Sequence, residues 1–353
     1  MPRAHRISRG LIGLLGVVIV LGLVFYFNNV RKTSAGEAPR ADKTVNAPAP
    51  SVPGSAMPTI TAPKVDVRSP STNPATRPTR TVQDGGLSAS PGSNASASYL
   101  TTLNEASQRK SSGDLLGARK LLNEALVSGH LNPSDTDAAK RMLNEMNQTL
   151  VFSPKVTAGD AFASTYTVKS GELLRTIADR FDVPWELIAR LNNMPDPRKL
   201  RAGQNLKVVT GPFHAVVSKS RFTLDVYLGS PGEKGSLFVR SFGVGLGAND
   251  STPTGSWIVE THKKIKNPTY FSPRGEGVIA ADDPKNPLGE RWIGLTGIDG
   301  QAVGKQSYGI HGTIEPDSIG KQASMGCIRM RNEDVEMVFD MLTEGKSVVV
   351  VRE

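Results

Sequence analysis

Cysteine is almost missing from this chain of 353 residues, which carries a single one, Cys327. One thiol excludes a disulfide framework and any thiolate-built metal centre. Histidine is scarce as well. Of the five present, His5, His130, His214 and His262 are scattered without ligand spacing, so no metal and no other cofactor is expected. Aromatics make up only 6% of the residues, and no basic segment interleaved with them offers a platform for stacked bases. The net charge of +9 is diffuse. It suits an anionic surface and excludes nucleic acid as the expected partner.

What the chain does have is strongly divided along its length, giving a multi-domain reading. Arg3, Arg6 and Arg9 precede an uninterrupted apolar run from Leu11 to Phe27, about the length needed to cross a bilayer. A cleaved signal peptide would carry a shorter apolar core and an A-x-A-like site. Only a weak small-residue site occurs around Thr33 to Ala35. Residues 1–30 are therefore read as a retained single-pass membrane anchor, an N-terminal transmembrane helix, with everything beyond it in the periplasm or cell wall space. Residues 31–98 hold ten prolines between Pro39 and Pro91 and no aromatic. That composition predicts a disordered linker rich in Pro, Ser, Thr and Ala, which gives the folded part reach.

Helical periodicity then marks residues 99–152 as a helical hairpin weakly similar to tetratricopeptide units, with Gly113-Asp114 at a turn. Between residues 164 and 209 a short strand, a turn at Ser170-Gly171, two amphipathic helices and a closing strand follow one another. Tyr166, Val168, Gly171, Leu174, Ile177, Ala178, Asn192, Gly203 and Leu206 in this stretch resemble the pattern of a LysM domain. The resemblance implies a small α+β unit that binds glycan, here peptidoglycan. Its contacts are expected from the loops: Ser170, Gly171, Glu172 and Leu173, and Asn192, Asn193 and Met194.

Residues 212–353 alternate apolar and polar positions over several segments, as half-buried strands do. They show one clear helix, with Asn332 as the expected N-cap, Glu333 and Asp334 in the first turn and Gly345 as the stop. Cys327 lies here, sixteen positions after His311. A thiol and an imidazole make a nucleophile and its base when they meet, although each is equally at home as a buried hydrophobe or a structural hydrogen-bonding group. Gly326 allows close backbone approach, and consecutive amides at Gly326 and Cys327 are natural donors to an oxyanion. Arg329 would share the strand face of Cys327 and suits an anionic substrate group.

His311-Gly312-Thr313 followed by Ser324-Met325-Gly326-Cys327-Ile328-Arg329 resembles the signature of L,D-transpeptidases with the YkuD-type catalytic domain. Met325 departs from the many members that carry a second histidine there, which leaves His311 as the base. The resemblance implies a mostly β catalytic domain, a β-sandwich with a helix, and an acyl-enzyme made by Cys327. The implied donor is a peptidoglycan tetrapeptide stem that loses D-alanine, and the implied acceptor is a diaminopimelate amine. Ser324 is expected to orient His311 or the local backbone, and Tyr308, Gly312, Thr313 and Arg329 to line the cleft. Water or a protein amine as acceptor, and a non-catalytic wall-binding role carried by the LysM domain, stay open on sequence alone.

Overall fold

The structure, a computed structural model, describes residues 91–353. The expected anchor and most of the expected linker lie outside them. Among the described residues no helix is long and apolar enough to cross a membrane.

Three helices come first: α1 (Pro91–Ser111), α2 (Leu115–Ser128) and α3 (Pro133–Leu150). One expectation changes here: residues 91–98, read as linker, belong to α1. Proline fits a first turn because its missing N–H would be unpaired there anyway, and extending a nucleated helix costs far less than starting one. Asp114 opens α2 by accepting from the Gly117 amide at 2.9 Å, and Asn132 opens α3 by accepting from the Asp135 amide at 2.9 Å. Gly129 closes α2 with φ of 69°, the left-handed conformation that glycine adopts without strain. Leu103, Ala118, Leu122, Leu143 and Leu150 form the core of this unit, and Phe238 from the sheet completes it.

That attachment is specific. Strand β5 (Leu237–Gly243) is one of the two edge strands of the main sheet, a position that leaves backbone groups open to another chain. Side-chain amides cover them. Asn147 Nδ2 donates to the Phe238 and Val239 carbonyls at 3.0 and 2.9 Å, and Asn123 Oδ1 accepts from the Phe238 amide at 2.7 Å. Lys140 pairs with the buried Asp225 carboxylate next door. Asn147→Ala should therefore cost about 1–3 kcal/mol, because two carbonyls of buried residues lose their donor. A thermal unfolding curve unchanged from the parent would show that the helices merely lean on the sheet.

The next unit pairs β1 (Ala163–Thr167) antiparallel with β2 (Asn205–Val209), with α4 (Leu174–Arg180) and α5 (Trp185–Leu191) between them. Val168, Ile177, Leu187, Leu191 and Leu206 are buried in it. Lys207 on β2 is buried too, and its Nζ donates to the Leu150 and Ser153 carbonyls at 2.7 and 2.8 Å, tying this unit to the end of α3. Burial draws its pKa down to about 8.

The remaining chain builds β3 (Phe213–Ser218), β4 (Thr223–Leu228), β5, β6 (Leu246–Gly247), β7 (Gly255–Lys266), β8 (Tyr270–Phe271), β9 (Val278–Ile279), β10 (Arg291–Gly297), β11 (Tyr308–His311), β12 (Gln322–Ser324), β13 (Ile328–Arg329), α6 (Asn332–Met341) and β14 (Val348–Arg352). Eight of these strands form one sheet in the order β13-β11-β10-β7-β14-β3-β4-β5. This corrects the expected sandwich. The sheet is continuous and curls on itself, so that residues from β3, β7, β10, β11 and β14 share one core with α6. Register shifts between Ile293 and Leu295 and between Val226 and Tyr227 mark irregularities of the kind that sharpen such a bend. The expected cap of α6 also moves. Arg331 is the N-cap and Asn332 the first helical residue, while Gly345 lies in the turn beyond the helix end at Met341.

Candidate active site

Strands β11 and β13 run parallel, with Ile310 opposite Ile328 and His311 opposite Arg329. Cys327, one residue before β13, therefore falls beside Gly309, whose amide hydrogen-bonds to it. Side chains alternate along a strand, so Cys327 and Arg329 share a face, and His311 presents its ring on that same face.

His311 is 5% exposed. Its ring stacks on Trp292 with centroids 5.8 Å apart, and its Nδ1 lies 2.6 Å from the Gly312 carbonyl oxygen. A carbonyl only accepts, so Nδ1 carries the proton and Nε2 keeps its lone pair. Burial draws the imidazole pKa down to about 4, against the Gly312 bond and with help from the Arg329 charge. Burial also pushes the Cys327 thiol up, while the Gly309 amide and Arg329 pull it the other way. Both shifts favour the neutral forms, an uncharged thiol and an uncharged imidazole on one face.

The turn that delivers the thiol is tightly specified. Gly326 has φ of 130°, and a Cβ there would meet Tyr308 Cε1 at 2.7 Å and the Ser251 carbonyl oxygen at 3.1 Å. The Gly326 carbonyl accepts from Thr252 Oγ1 at 3.0 Å, and the same hydroxyl accepts from the Gly247 amide at 2.8 Å. Ser324 Oγ donates to the Cys327 carbonyl at 2.6 Å and accepts from the Gly326 amide at 3.1 Å. Ser324 therefore holds the backbone of the turn and makes no bond to His311. Its hydroxyl also engages the Gly326 amide, one of the two amides expected to be free for an oxyanion. The Tyr308 ring lies beneath the turn, 5.0 Å from that of Trp257.

The other flank is organised by a residue read as a helix cap. Asn332 Oδ1 accepts from the Thr313 amide at 3.2 Å and the Glu290 amide at 3.4 Å. A Cβ on either Gly312 or Gly289 would lie 2.1 Å from that oxygen. Asn332 thus clamps the segment after His311 to the start of α6 and to the loop from 268 to 289. That loop is itself cinched by Asn286 Nδ2, which donates to the Pro268 carbonyl at 2.7 Å. Arg329 Nη1 pairs with Glu315 Oε2 at 2.8 Å.

Two family profiles fit the chain, the LysM domain at residues 166–209 and the L,D-transpeptidase catalytic domain, YkuD, at residues 212–351. A Bacillus licheniformis protein named as L,D-transpeptidase YkuD is 32% identical over 193 residues, which are 52% of this chain and 97% of that protein. The chain belongs to the YkuD family of L,D-transpeptidases. A Bacillus subtilis protein named as L,D-transpeptidase YqjB is 40% identical over 102 residues, 29% of this chain and 53% of that one. Among solved structures, an L,D-transpeptidase from Mycobacterium smegmatis is matched over 43% of this chain and 64% of that one, at 17% identity and a TM-score of 0.29. A superposition that remote carries no argument about the site.

In this YkuD-family chain the LysM loops divide differently from expectation. Ser170 and Leu173 are exposed, and Gly171 turns the chain with φ of 78°. The Glu172 carboxylate is committed to its own loop. It accepts from the Lys169 amide at 2.9 Å, the Arg180 guanidinium at 2.6 Å and the Tyr166 hydroxyl at 2.9 Å, and these bonds hold its pKa down to about 2. Asn192 is likewise spent internally, donating to the Ile188 and Lys207 carbonyls at 2.8 Å each and accepting from the Lys207 amide at 2.7 Å. Both side chains are thus held by bonds within the LysM fold. Asn193 and Met194 line a cleft of about 500 Å³ whose opposite wall is Lys266 and Arg291 of the catalytic domain. Residues 170–173 do not line it.

The residues missed from sequence are Thr252, Trp292, Asn332 and Glu315. Thr252 opens the stretch Thr252-Pro253-Thr254-Gly255, whose residue types suit a turn and carry no sign of a partner at Gly326. Asn332 gave a true local signal, a polar residue at a helix start, that long-range geometry put to another use.

Proposed function

We propose that this YkuD-family chain is a peptidoglycan L,D-transpeptidase working through a Cys327 acyl-enzyme. The observation that carries the reading is the β11–β13 pairing, which sets an imidazole with a free Nε2 on the face of the thiol. As Cys327 Sγ bonds to the carbonyl carbon of the scissile peptide, its proton passes to His311 Nε2. The oxyanion takes the Cys327 amide, a contact typically worth about 3 kcal/mol. The carbon–nitrogen bond then breaks, His311 returns the proton to the departing D-alanine amine, and a thioester remains. A diaminopimelate amine of a second stem attacks the thioester and gives its proton to His311. The carbon–sulfur bond breaks, and the proton restores the thiol.

The same neutral pair predicts the pH dependence. Protonating His311 removes the base, and its pKa is drawn down to about 4. Acylation should therefore persist as pH falls through 6.5, the ordinary histidine value, and fail only near 4. An acid limb centred near 6.5 in the rate profile would contradict the buried, neutral imidazole.

The LysM domain supplies the grip on glycan, through Ser170, Gly171 and Leu173 on one loop and Asn193 and Met194 on the other. Residues 1–30 serve as the membrane anchor, holding the catalytic domain toward the wall. The first test is to incubate the full chain with a carbapenem and weigh it intact. The expected adduct maps to Cys327 and is missing in Cys327→Ala; no adduct on a folded, reduced protein would overturn the acyl-enzyme. Mass spectrometry of purified muropeptide products then fixes the acceptor. Cross-linked dimers are expected, and tripeptides without dimers would make water the acceptor.

A further inference from the structure

The loop between base and nucleophile carries Glu315, which the proposed chemistry leaves unused. Its backbone is pinned, since the Glu315 amide donates to Thr313 Oγ1 at 3.0 Å and its carbonyl accepts from Ser318 Oγ at 2.7 Å. The side chain is not pinned in the same way. It is 66% exposed, against 17% for Arg329, the partner it meets through Nη1 alone. Arg329 Nε is buried and has no hydrogen-bond partner.

This is an unequal pair. A guanidinium that meets a carboxylate fork to fork donates two parallel N–H bonds, and here one of its donors is idle. The exposed carboxylate loses little by swinging into water, because exposed ion pairs are weak. Arg329 stays, on the face it shares with Cys327 and His311.

We propose that Arg329 forms a carboxylate subsite beside the thiol and that Glu315 is its resident occupant, a specificity-determining residue displaced by ligands that bring a carboxylate of their own. Neutral ligands do not displace it and gain nothing from Arg329. The proposal rests on Cys327 being the nucleophile. It makes Glu315 a filter: donors with a free carboxylate next to the scissile bond are favoured over their amidated counterparts.

The test uses two alkylating probes of similar size, iodoacetate and iodoacetamide, on the full chain, with the ratio of their rates at Cys327 as the readout. E315Q should raise the iodoacetate-to-iodoacetamide ratio on the order of fivefold, as expected for release of one exposed pair. The gain should persist in 1 M salt, where the screening length is about 3 Å, and should vanish in E315Q/R329Q. An unchanged ratio overturns the proposal, as does a gain that salt abolishes or that survives loss of Arg329. The carbapenem adduct reports on the nucleophile separately, so an adduct with an unchanged ratio removes only the role of Glu315.

Discussion

His311→Gln is expected to slow acylation by a carbapenem roughly 10²–10⁴-fold, the range in which a positioned general base contributes. Glutamine can still donate to the Gly312 carbonyl that now holds Nδ1 at 2.6 Å, but it has no basic nitrogen to offer the thiol. Loss of the base matters more here than for a thiol already ionised, because burial keeps Cys327 protonated at rest. Attack and proton removal have to occur together. Near-UV circular dichroism, which reports the Trp292 stack, would verify that the variant is folded. A folded variant that acylates within threefold of the parent would end the role of His311 as base.

Gly326→Ala should damage the site from the backbone. The position has φ of 130°, a region that side-chain-bearing residues occupy at a cost of about 1–3 kcal/mol. The added methyl would also meet Tyr308 Cε1 at 2.7 Å, and that ring rests against Trp257. The turn and the two packed rings cannot both keep their places, so Cys327 is displaced. A misplacement of about 1 Å can cost about 10²-fold in rate. Gly326→Ala is expected to lose both melting temperature and acylation rate, and adding Tyr308→Ala should restore part of the stability while the backbone strain persists. Full acylation by the single variant would show that the turn is softer than its contacts indicate.

These effects separate what the sequence carries locally from what only the fold supplies. The strands of the catalytic domain were legible because alternation of apolar residues is a local pattern, as in the stretches now seen as β3, β4 and β5. That Cys327 and His311 belong to one active segment was read from the motif, whereas their placement on neighbouring strands comes from the β11–β13 register. Other features were not legible. Asn332 was read as a cap because a helix start is a local feature, whereas its bonds to Thr313 and Glu290 depend on a loop forty residues away in sequence coming alongside. The Gly326 amide was expected to be free because nothing in Ser324-Met325-Gly326 says which way the serine hydroxyl turns. Asn192 and Glu172 sit in loops that face solvent in outline, yet their side chains are consumed by Lys207, Tyr166 and Arg180. One sheet in place of a sandwich reflects the same limit, since strand lengths do not encode which strands join edge to edge.

The helical unit bears on how the protein can be divided. Residues 166–209 and 212–351 are the parts shared with relatives, and they invite a cut just ahead of the first. That cut would strip Asn123 and Asn147 from the Phe238 and Val239 backbone, Lys140 from Asp225, and the Leu150 carbonyl from Lys207. The inherited modules and the smallest self-sufficient body therefore do not share a boundary. A shortened version of this enzyme would begin life with a raw seam along β5, ready to be stitched to its neighbours.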